Sequence, residues 1–187
     1  MTIKVRLDKV KIALAEKGMI QVFTGNGRGK TSAALGTVLR AVGQELRVFI
    51  VFFMKGNYPY GEQKALSNLP NVTMAVFGSP SFVDPENVKD EDKEEARKAL
   101  AAAREAMLSG KYDLVVLDEV NIAAAWGLIG VNEVVELIYD RPEAVELILT
   151  GRYADPEVNK LADLVTEMLD IKHPYEKGVQ ARRGFEY

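Results

Sequence analysis

The sequence contains no cysteine, and histidine and tryptophan each occur once among its 187 residues. Without cysteine the chain forms no disulfide, offers no thiolate to a metal and carries no cysteine nucleophile. The lack of a disulfide framework fits a reducing compartment. We therefore expect a cytoplasmic protein whose chemistry does not use a sulfur nucleophile.

Features that would point to a membrane or to nucleic acid are also missing. No apolar run approaches the roughly 20 residues of a membrane-spanning helix. The charged start of the chain, with Lys4, Arg6 and Asp8, is unlike a signal peptide. The net charge is -3, whereas a nucleic-acid-binding protein presents a basic face. We expect neither a membrane segment nor a nucleic-acid partner.

The strongest motif is a glycine-rich segment that follows the apolar run 19–23 and precedes the helix-like stretch 33–40. It reads Thr24-Gly25-Asn26-Gly27-Arg28-Gly29-Lys30-Thr31-Ser32. Strand, glycine-rich turn, Gly-Lys-Thr and helix is the order of a P-loop, in which backbone N–H groups and the lysine bind phosphates and the threonine hydroxyl reaches Mg²⁺. Thr24 stands where the strict pattern has glycine, and a ligand-free turn is the alternative. The flanking elements favour a nucleotide-triphosphate site.

The rest of the chain alternates apolar runs with helix-like segments. Apolar runs at 47–54, 72–77, 112–117, 145–149 and 164–168 are separated by stretches with helical spacing, a pattern typical of α/β proteins. Hydrophobic residues make up 48% of the chain, enough for one substantial core. We predict one domain over residues 1–187, a three-layer α/β/α fold of the P-loop NTPase-like (RecA-like) type with a mainly parallel sheet. In this prediction residues 1–18 are a helical extension and residues 171–187 a tail packed on the body.

Three helices can be placed more closely. The spacing of apolar residues predicts a short helix over residues 7–17. An Asp-Pro pair is typical of a helix start, and the sequence has one at Asp84-Pro85 and one at Asp155-Pro156. We expect the helix that starts at Asp155 to run to about Asp163.

Charged residues follow two of the apolar runs. Asp118 and Glu119 end the run that starts at residue 112, and a carboxylate at the end of such a strand can hold Mg²⁺ or its waters beside a P-loop. By itself the pair is equally typical of a strand end followed by a helix. Arg152 follows the run 145–149, at the sheet edge where ligands bind in open parallel sheets. Spacing alone leaves open whether Arg152 contacts phosphates or is a surface residue.

A P-loop does not choose the reaction by itself. The Asn-Lys-x-Asp signature of guanine recognition is absent, because in the stretch 159–163 the aspartate comes one place too late. No arginine-rich lid of the nucleotide-kinase kind is visible. An ATPase or kinase that acts on the γ-phosphate and a non-catalytic ATP-binding module remain as alternatives.

Several blocks taken together resemble the P-loop-type ATP:corrinoid adenosyltransferases. The resemblance runs from about residue 19 to residue 187 and includes a phosphate loop that begins with threonine, the blocks 51–56, 61–62, 113–119 and 150–152, and tail residues 172–173 and 184–187. It implies that the enzyme transfers the 5′-deoxyadenosyl group of ATP to Co(I) of a reduced corrinoid, forming adenosylcobalamin or its precursor and releasing intact triphosphate. Since Co(I) is itself the nucleophile, the protein needs no general base.

The resemblance also implies roles for single residues. Lys30, Thr31 and Glu119 would be catalytic, and Thr31 with Asp118 and Glu119 would hold Mg²⁺. The residues that would bind ATP are Gly25, Asn26, Gly27, Arg28, Gly29, Lys30, Thr31, Ser32 and Arg152.

The corrinoid side departs from the family pattern. The family often has a Phe-x-Trp pair that displaces the lower axial ligand of the corrinoid, and here Phe82 is present without the tryptophan. Phe82 either acts as this wedge or anchors its loop. The resemblance further implies a homodimer, with the segment before Gly18 over a neighbouring subunit's site, and a reductant protein such as a flavoprotein.

Overall fold

A six-stranded sheet, in which every strand runs parallel to its neighbours, forms the centre of the molecule. The computed structural model describes residues 17–56 and 60–185. Along the sheet the strands lie in the order β3-β2-β4-β5-β1-β6. In chain order they are β1 (Ile20–Thr24), β2 (Val48–Phe52), β3 (Val72–Val76), β4 (Leu114–Asp118), β5 (Glu146–Thr150) and β6 (Leu164–Glu167).

Helices cover both faces of this sheet, which confirms the α/β fold class. They are α1 (Lys30–Gly43), α2 (Gly61–Leu66), α3 (Asp90–Leu108), α4 (Val120–Ala125), α5 (Val131–Tyr139) and α6 (Pro156–Leu161). Buried residues of α1 and α2 pack with one set of strand side chains, and those of α3, α4, α5 and α6 pack with the other set. Within β4, Val115 and Leu117 belong to one core cluster while Leu114 and Val116 belong to the other. Successive side chains of a strand point to opposite faces, so a central strand that is apolar throughout fills both layers.

Two helix boundaries differ from the sequence prediction. The helix expected to start at Asp84 begins at Asp90, because Asp84 is instead the first residue of a turn. Its side chain accepts a hydrogen bond from Glu86 N at 3.0 Å, and its carbonyl oxygen accepts one from Asn87 N at 3.1 Å. An Asp-Pro pair is a turn former as well as a helix start. The helix expected to run to Asp163 ends at Leu161. The short helix α2 was not predicted.

The ends of the chain are described only in part. The helix predicted over residues 7–17 falls, except for Lys17, outside the described residues. After β6 the chain continues through a 3₁₀ helix, Pro174–Lys177, and residues 174–185 are exposed. In the part of the chain that the structure describes, no helix has both the length and the apolar composition needed to cross a membrane.

Candidate active site

The phosphate loop joins β1 to α1 at the carboxyl edge of the sheet. Lys30 is the first residue of α1 and is only 8% exposed, and its Nζ donates a hydrogen bond to the carbonyl oxygen of Gly27 at 2.7 Å. The next residue, Thr31, donates its hydroxyl proton to Asp118 Oδ1 at 2.8 Å. The start of α1 therefore brings an ammonium group, a hydroxyl and the free N–H groups of a helix N-terminus to one place.

The loop is braced by the chain segment that leaves β6. Gly27 donates its N–H to the carbonyl oxygen of Met168 at 2.6 Å. A Cβ atom at Gly27 would lie 2.5 Å from the carbonyl oxygen of Leu169, so a side chain at this position would force the loop away from β6. The segment that directly follows the edge strand thus holds the loop in position, although the side chains of β6 itself are exposed.

Asp118 connects the loop to the neighbouring strands. Its side chain is 1% exposed, and Oδ1 accepts hydrogen bonds from the hydroxyls of Thr31 and Thr150 at 2.8 and 2.7 Å. Thr150, the last residue of β5, in turn accepts a hydrogen bond from Glu119 N at 3.0 Å. Oδ2 of Asp118 is buried and accepts no hydrogen bond from any residue that the structure describes, and the ammonium group of Lys55 lies 3.6 Å from it.

Burial and neighbouring charges shift the pKa values of three groups around this carboxylate. Burial raises the pKa of Glu119, and Asp118 raises it further, against the opposing effect of the nearby cations. Burial lowers the pKa of Lys30 despite the proximity of Glu119. Burial alone would also lower the pKa of Lys55, but Asp118 and Glu119 outweigh it and raise that pKa. Acidic and basic groups with shifted pKa values in one cleft are typical of functional sites.

These groups face a cavity of about 630 Å³, a size suited to a nucleotide-sized ligand. Of the residues predicted for the phosphate and metal sites, Gly25 and Asp118 do not line this cavity. Asp118 contacts it only indirectly, through its hydrogen bond with Thr31. His173 and Phe185 of the chain's last segment lie at its wall, and Arg28 donates a hydrogen bond to the carbonyl oxygen of Phe185. The lining residues that were predicted from the sequence are Asn26, Gly27, Arg28, Gly29, Lys30, Thr31, Ser32, Glu119 and Arg152.

A second cavity of about 280 Å³ shares a wall with the first. Phe82, predicted for the corrinoid, lines this second cavity and is 86% exposed. Its other apolar lining residues are Phe53, Met54, Val83, Ile122 and Trp126. The shared wall is polar and consists of Lys30, Lys55, Tyr60, Glu119 and Arg152.

Sequence reasoning missed Lys55 and Thr150 as site residues. Lys55 follows β2 and Thr150 ends β5, the two strands on either side of β4. Their position at the carboxyl ends of apolar runs was a usable signal, since such ends meet at one sheet edge. What the sequence lacked was the strand order that makes both strands neighbours of Asp118.

The Glu119→Gln variant should be more stable than the wild type at neutral pH. The raised pKa of Glu119 means that the folded state disfavours the charged form of this side chain. This lowers the free energy of unfolding at pH values above the pKa of the folded state. The effect disappears at low pH, where Glu119 is protonated in both the folded and the unfolded state. The stability gain should therefore shrink as the pH falls toward the ordinary glutamate pKa of about 4.3. Urea unfolding at several pH values measures it. Glu136→Gln, at an exposed position of α5, is the control and should show little gain; an equal gain in both variants would contradict the explanation.

The sheet order, the loop and the buried aspartate beside it define a protein with the P-loop NTPase-like fold. A model of the family described as ATP:corrinoid adenosyltransferase BtuR/CobO/CobP matches residues 16–187. The corrinoid adenosyltransferase of Escherichia coli K12 is 36% identical over 186 residues, which cover 99% of this chain and 94% of that protein. The chain belongs to the ATP:corrinoid adenosyltransferase family.

Two further relatives give the same result. The corrinoid adenosyltransferase of Pseudomonas aeruginosa PAO1 is 35% identical over 181 residues, 96% of this chain and 89% of the relative. Corrinoid adenosyltransferase CobA of Salmonella typhimurium LT2 is 35% identical over 186 residues, 99% of this chain and 94% of that protein. The family predicted from the sequence blocks is thereby confirmed.

Proposed function

We propose that this enzyme binds ATP in the larger cavity and transfers its 5′-deoxyadenosyl group to Co(I) of a reduced corrinoid. Adenosyl transfer from ATP to a corrinoid is the activity of the family to which the chain belongs. In this step a Co–C5′ bond forms, the bond between C5′ and its phosphate oxygen breaks, and the triphosphate leaves with that electron pair. The observation that supports it best is the pair of cavities, one lined by the phosphate loop and one by apolar side chains, that meet at a polar wall.

The protein's contribution is to orient ATP and to neutralise the charge that grows on the triphosphate. Lys30 donates a hydrogen bond to Gly27 O, and we propose that it exchanges this carbonyl for a phosphate oxygen when ATP binds. The N–H groups at the start of α1 and the guanidinium of Arg152, at the cavity wall, would act on the same group. Fixed donors aimed at a developing charge are among the largest contributions to catalysis, and orientation of the two reactants adds to it.

We propose that Thr31 and Asp118, with Glu119 nearby, hold Mg²⁺. The fit rests on the buried Oδ2 of Asp118, which has no hydrogen-bond donor among residues 17–56 and 60–185, and on the hydroxyl of Thr31 beside the same carboxylate. Among the described residues no group of three or more acidic, histidine or cysteine side chains forms a complete metal cage. Mg²⁺ commonly takes one or two carboxylates and completes its shell with phosphate oxygens and waters. When bound, the ion would neutralise charge on the triphosphate.

We propose that the smaller cavity receives the corrinoid and that Phe82 presses on its lower face. Phe82→Ala should slow assays that start from Co(II) by about tenfold, or about 1.4 kcal/mol in the barrier. Alanine would no longer displace the lower ligand, and a corrinoid that keeps this ligand is harder to reduce. Assays that start from Co(I) should change little. Tyr139→Ala, an exposed aromatic at the end of α5, is the control. Equal losses from Co(II) and Co(I) would exclude the wedge.

The deciding experiment is incubation of the protein with Mg-ATP and chemically reduced corrinoids. The expected result is the spectrum of a Co–C bond together with release of triphosphate. Release of phosphate would favour the alternative, an ATPase or kinase that acts on the γ-phosphate. Tight ATP binding with neither product, across several corrinoids, would favour a regulatory nucleotide-binding module.

We also propose a cytoplasmic homodimer that receives electrons from a reductant protein, as the family resemblance implies. Apolar side chains are exposed on β6 and on the segment that follows it. Since a parallel sheet is normally covered on both faces, these side chains support a second subunit as their cover. Sedimentation measures the oligomeric state, and a monomer at assay concentrations would contradict the proposal. The exposed apolar residues of this region are Leu164, Val165, Leu169, Ile171, Tyr175, Val179 and Phe185.

A further inference from the structure

The ammonium group of Lys55 lies on the wall between the two cavities and has no role in the function described so far. Its side chain is 12% exposed, its Nζ lies 3.6 Å from Asp118 Oδ2, and the same atom lies 4.4 Å from the centroid of the Tyr60 ring. Glu119 and Glu62 add to the negative potential around it. Lys55 thus compensates the oxygen of Asp118 that accepts no hydrogen bond within the described part of the chain.

The backbone around Lys55 is held in an unusual conformation. Met54, the residue before it, has φ = 55°, a left-handed value that is uncommon for a non-glycine residue. Lys55 donates its N–H to the carbonyl oxygen of Phe77 at 3.0 Å. Gly78 lies so close that a Cβ atom there would be 2.8 Å from Met54 Cα. Strain that the surroundings maintain in this way is often found at functional sites.

Lys55, whose Nζ lies 3.6 Å from Asp118 Oδ2, and a divalent cation would compete for this oxygen, because two like charges close together in a buried site repel each other. The cavity that takes the triphosphate is lined by Lys55 as well as by the loop. A lysine is a point charge on a flexible stem with three donors, so its ammonium group can leave Asp118 without a backbone change.

We propose that Lys55 is a positioning residue that occupies the metal's place on Asp118 in the nucleotide-free enzyme and transfers to the triphosphate when Mg-nucleotide binds. The inference rests on the proposed function, since it takes Asp118 as a metal-holding group. It follows that Lys55 opposes the binding of the metal alone and favours the binding of the metal together with triphosphate. The two effects have opposite signs, which a purely structural lysine would not produce.

The test uses Lys55→Met and two probes, Mn²⁺ alone and inorganic triphosphate with Mg²⁺, each titrated calorimetrically into the full chain. We expect Mn²⁺ to bind about threefold or more tightly and Mg-triphosphate about tenfold more weakly than to the wild type, the size of one charge-assisted contact. Unchanged Mn²⁺ affinity, or affinities that fall together for both probes, would overturn the proposal. Lys64→Met, on the exposed side of α2, is the control and should change neither affinity.

A second comparison covers the case in which Lys55→Met does not fold because Asp118 is left without its cation. Asp118→Asn should free Lys55 to contact Mg-free triphosphate, whereas the double variant with Lys55→Met has no such cation. The single variant should bind Mg-free triphosphate about tenfold more tightly than the double variant, and equal affinities would overturn the inference. Failure of the proposed function is distinguishable, because then the wild type itself forms no Co–C bond.

Discussion

Replacing Lys30 by alanine should lower the rate of adenosyl transfer by about 100-fold or more, the cost of removing one positioned donor from a developing charge. Lys30 is the buried ammonium group at the start of α1, and it donates a hydrogen bond to the carbonyl oxygen of Gly27. In the alanine variant the triphosphate lacks this ammonium group as a partner, both when ATP binds and when the triphosphate departs. Single-turnover assays with Co(I) isolate the transfer step from the reduction of Co(II).

The same variant should fold at least as well as the wild type. Burial lowers the pKa of Lys30, so the folded protein disfavours the charged amine and alanine removes that cost. Thermal unfolding without nucleotide tests this. Lys98→Ala is the matched control, because Lys98 is exposed on α3 and pairs only at the surface with Glu95. Near-normal rates for Lys30→Ala, or equal rate losses in both variants, would contradict the role assigned to Lys30.

The Asp118→Asn variant should lose about 10- to 100-fold in activity, the range found when the groups that support a metal are removed. The amide has the shape of the carboxylate but not its charge, so Mg²⁺ and Lys55 both lose their anionic partner. Raising the Mg²⁺ concentration should restore part of the rate. A loss that is the same at every Mg²⁺ concentration would speak against a metal-holding role.

Asp118→Asn should also lower the free energy of unfolding by about 1–3 kcal/mol, the cost of leaving a buried polar group unsatisfied. Oδ1 of Asp118 accepts hydrogen bonds from Thr31 and Thr150, and an amide oxygen can keep both only if its NH₂ group then faces Lys55. Asp155→Asn is the control. Asp155 caps α6, and asparagine caps helices about as well as aspartate, so its stability and activity should stay near those of the wild type.

The sequence predicted the elements well where their signal was local. The phosphate loop is a contiguous segment whose glycines, lysine and threonine have fixed spacing, and the central strands are apolar runs because both of their faces are buried. The prediction failed at Asp84, where the same Asp-Pro pair suits a turn or a helix start, and at α2, which is too short to show a helical period.

The candidate site was predictable only in part. Arg152 and Glu119 were expected at the cavity, and both lie at its wall. Lys55 was not expected, because its pairing with Asp118 depends on β2 and β4 being neighbours although β3 and α3 separate them in the chain. Two parallel neighbouring strands need such a crossover connection, and no local sequence pattern indicates which earlier strand a later strand will pair with.

The order of residues by itself determined the α/β class, the phosphate loop, the carboxylates that follow β4 and the family of this protein. These features depend on short-range spacing and on blocks of consecutive residues, both of which can be seen in the sequence without knowledge of the fold. Only the tertiary structure decided that Lys55 compensates Asp118, that Thr150 links Asp118 to Glu119, and that the segment after β6 braces the loop at Gly27. The physical reason is that each of these contacts joins residues at, or just after, the ends of different strands. Which strand ends meet follows from the order and register in which the strands hydrogen-bond.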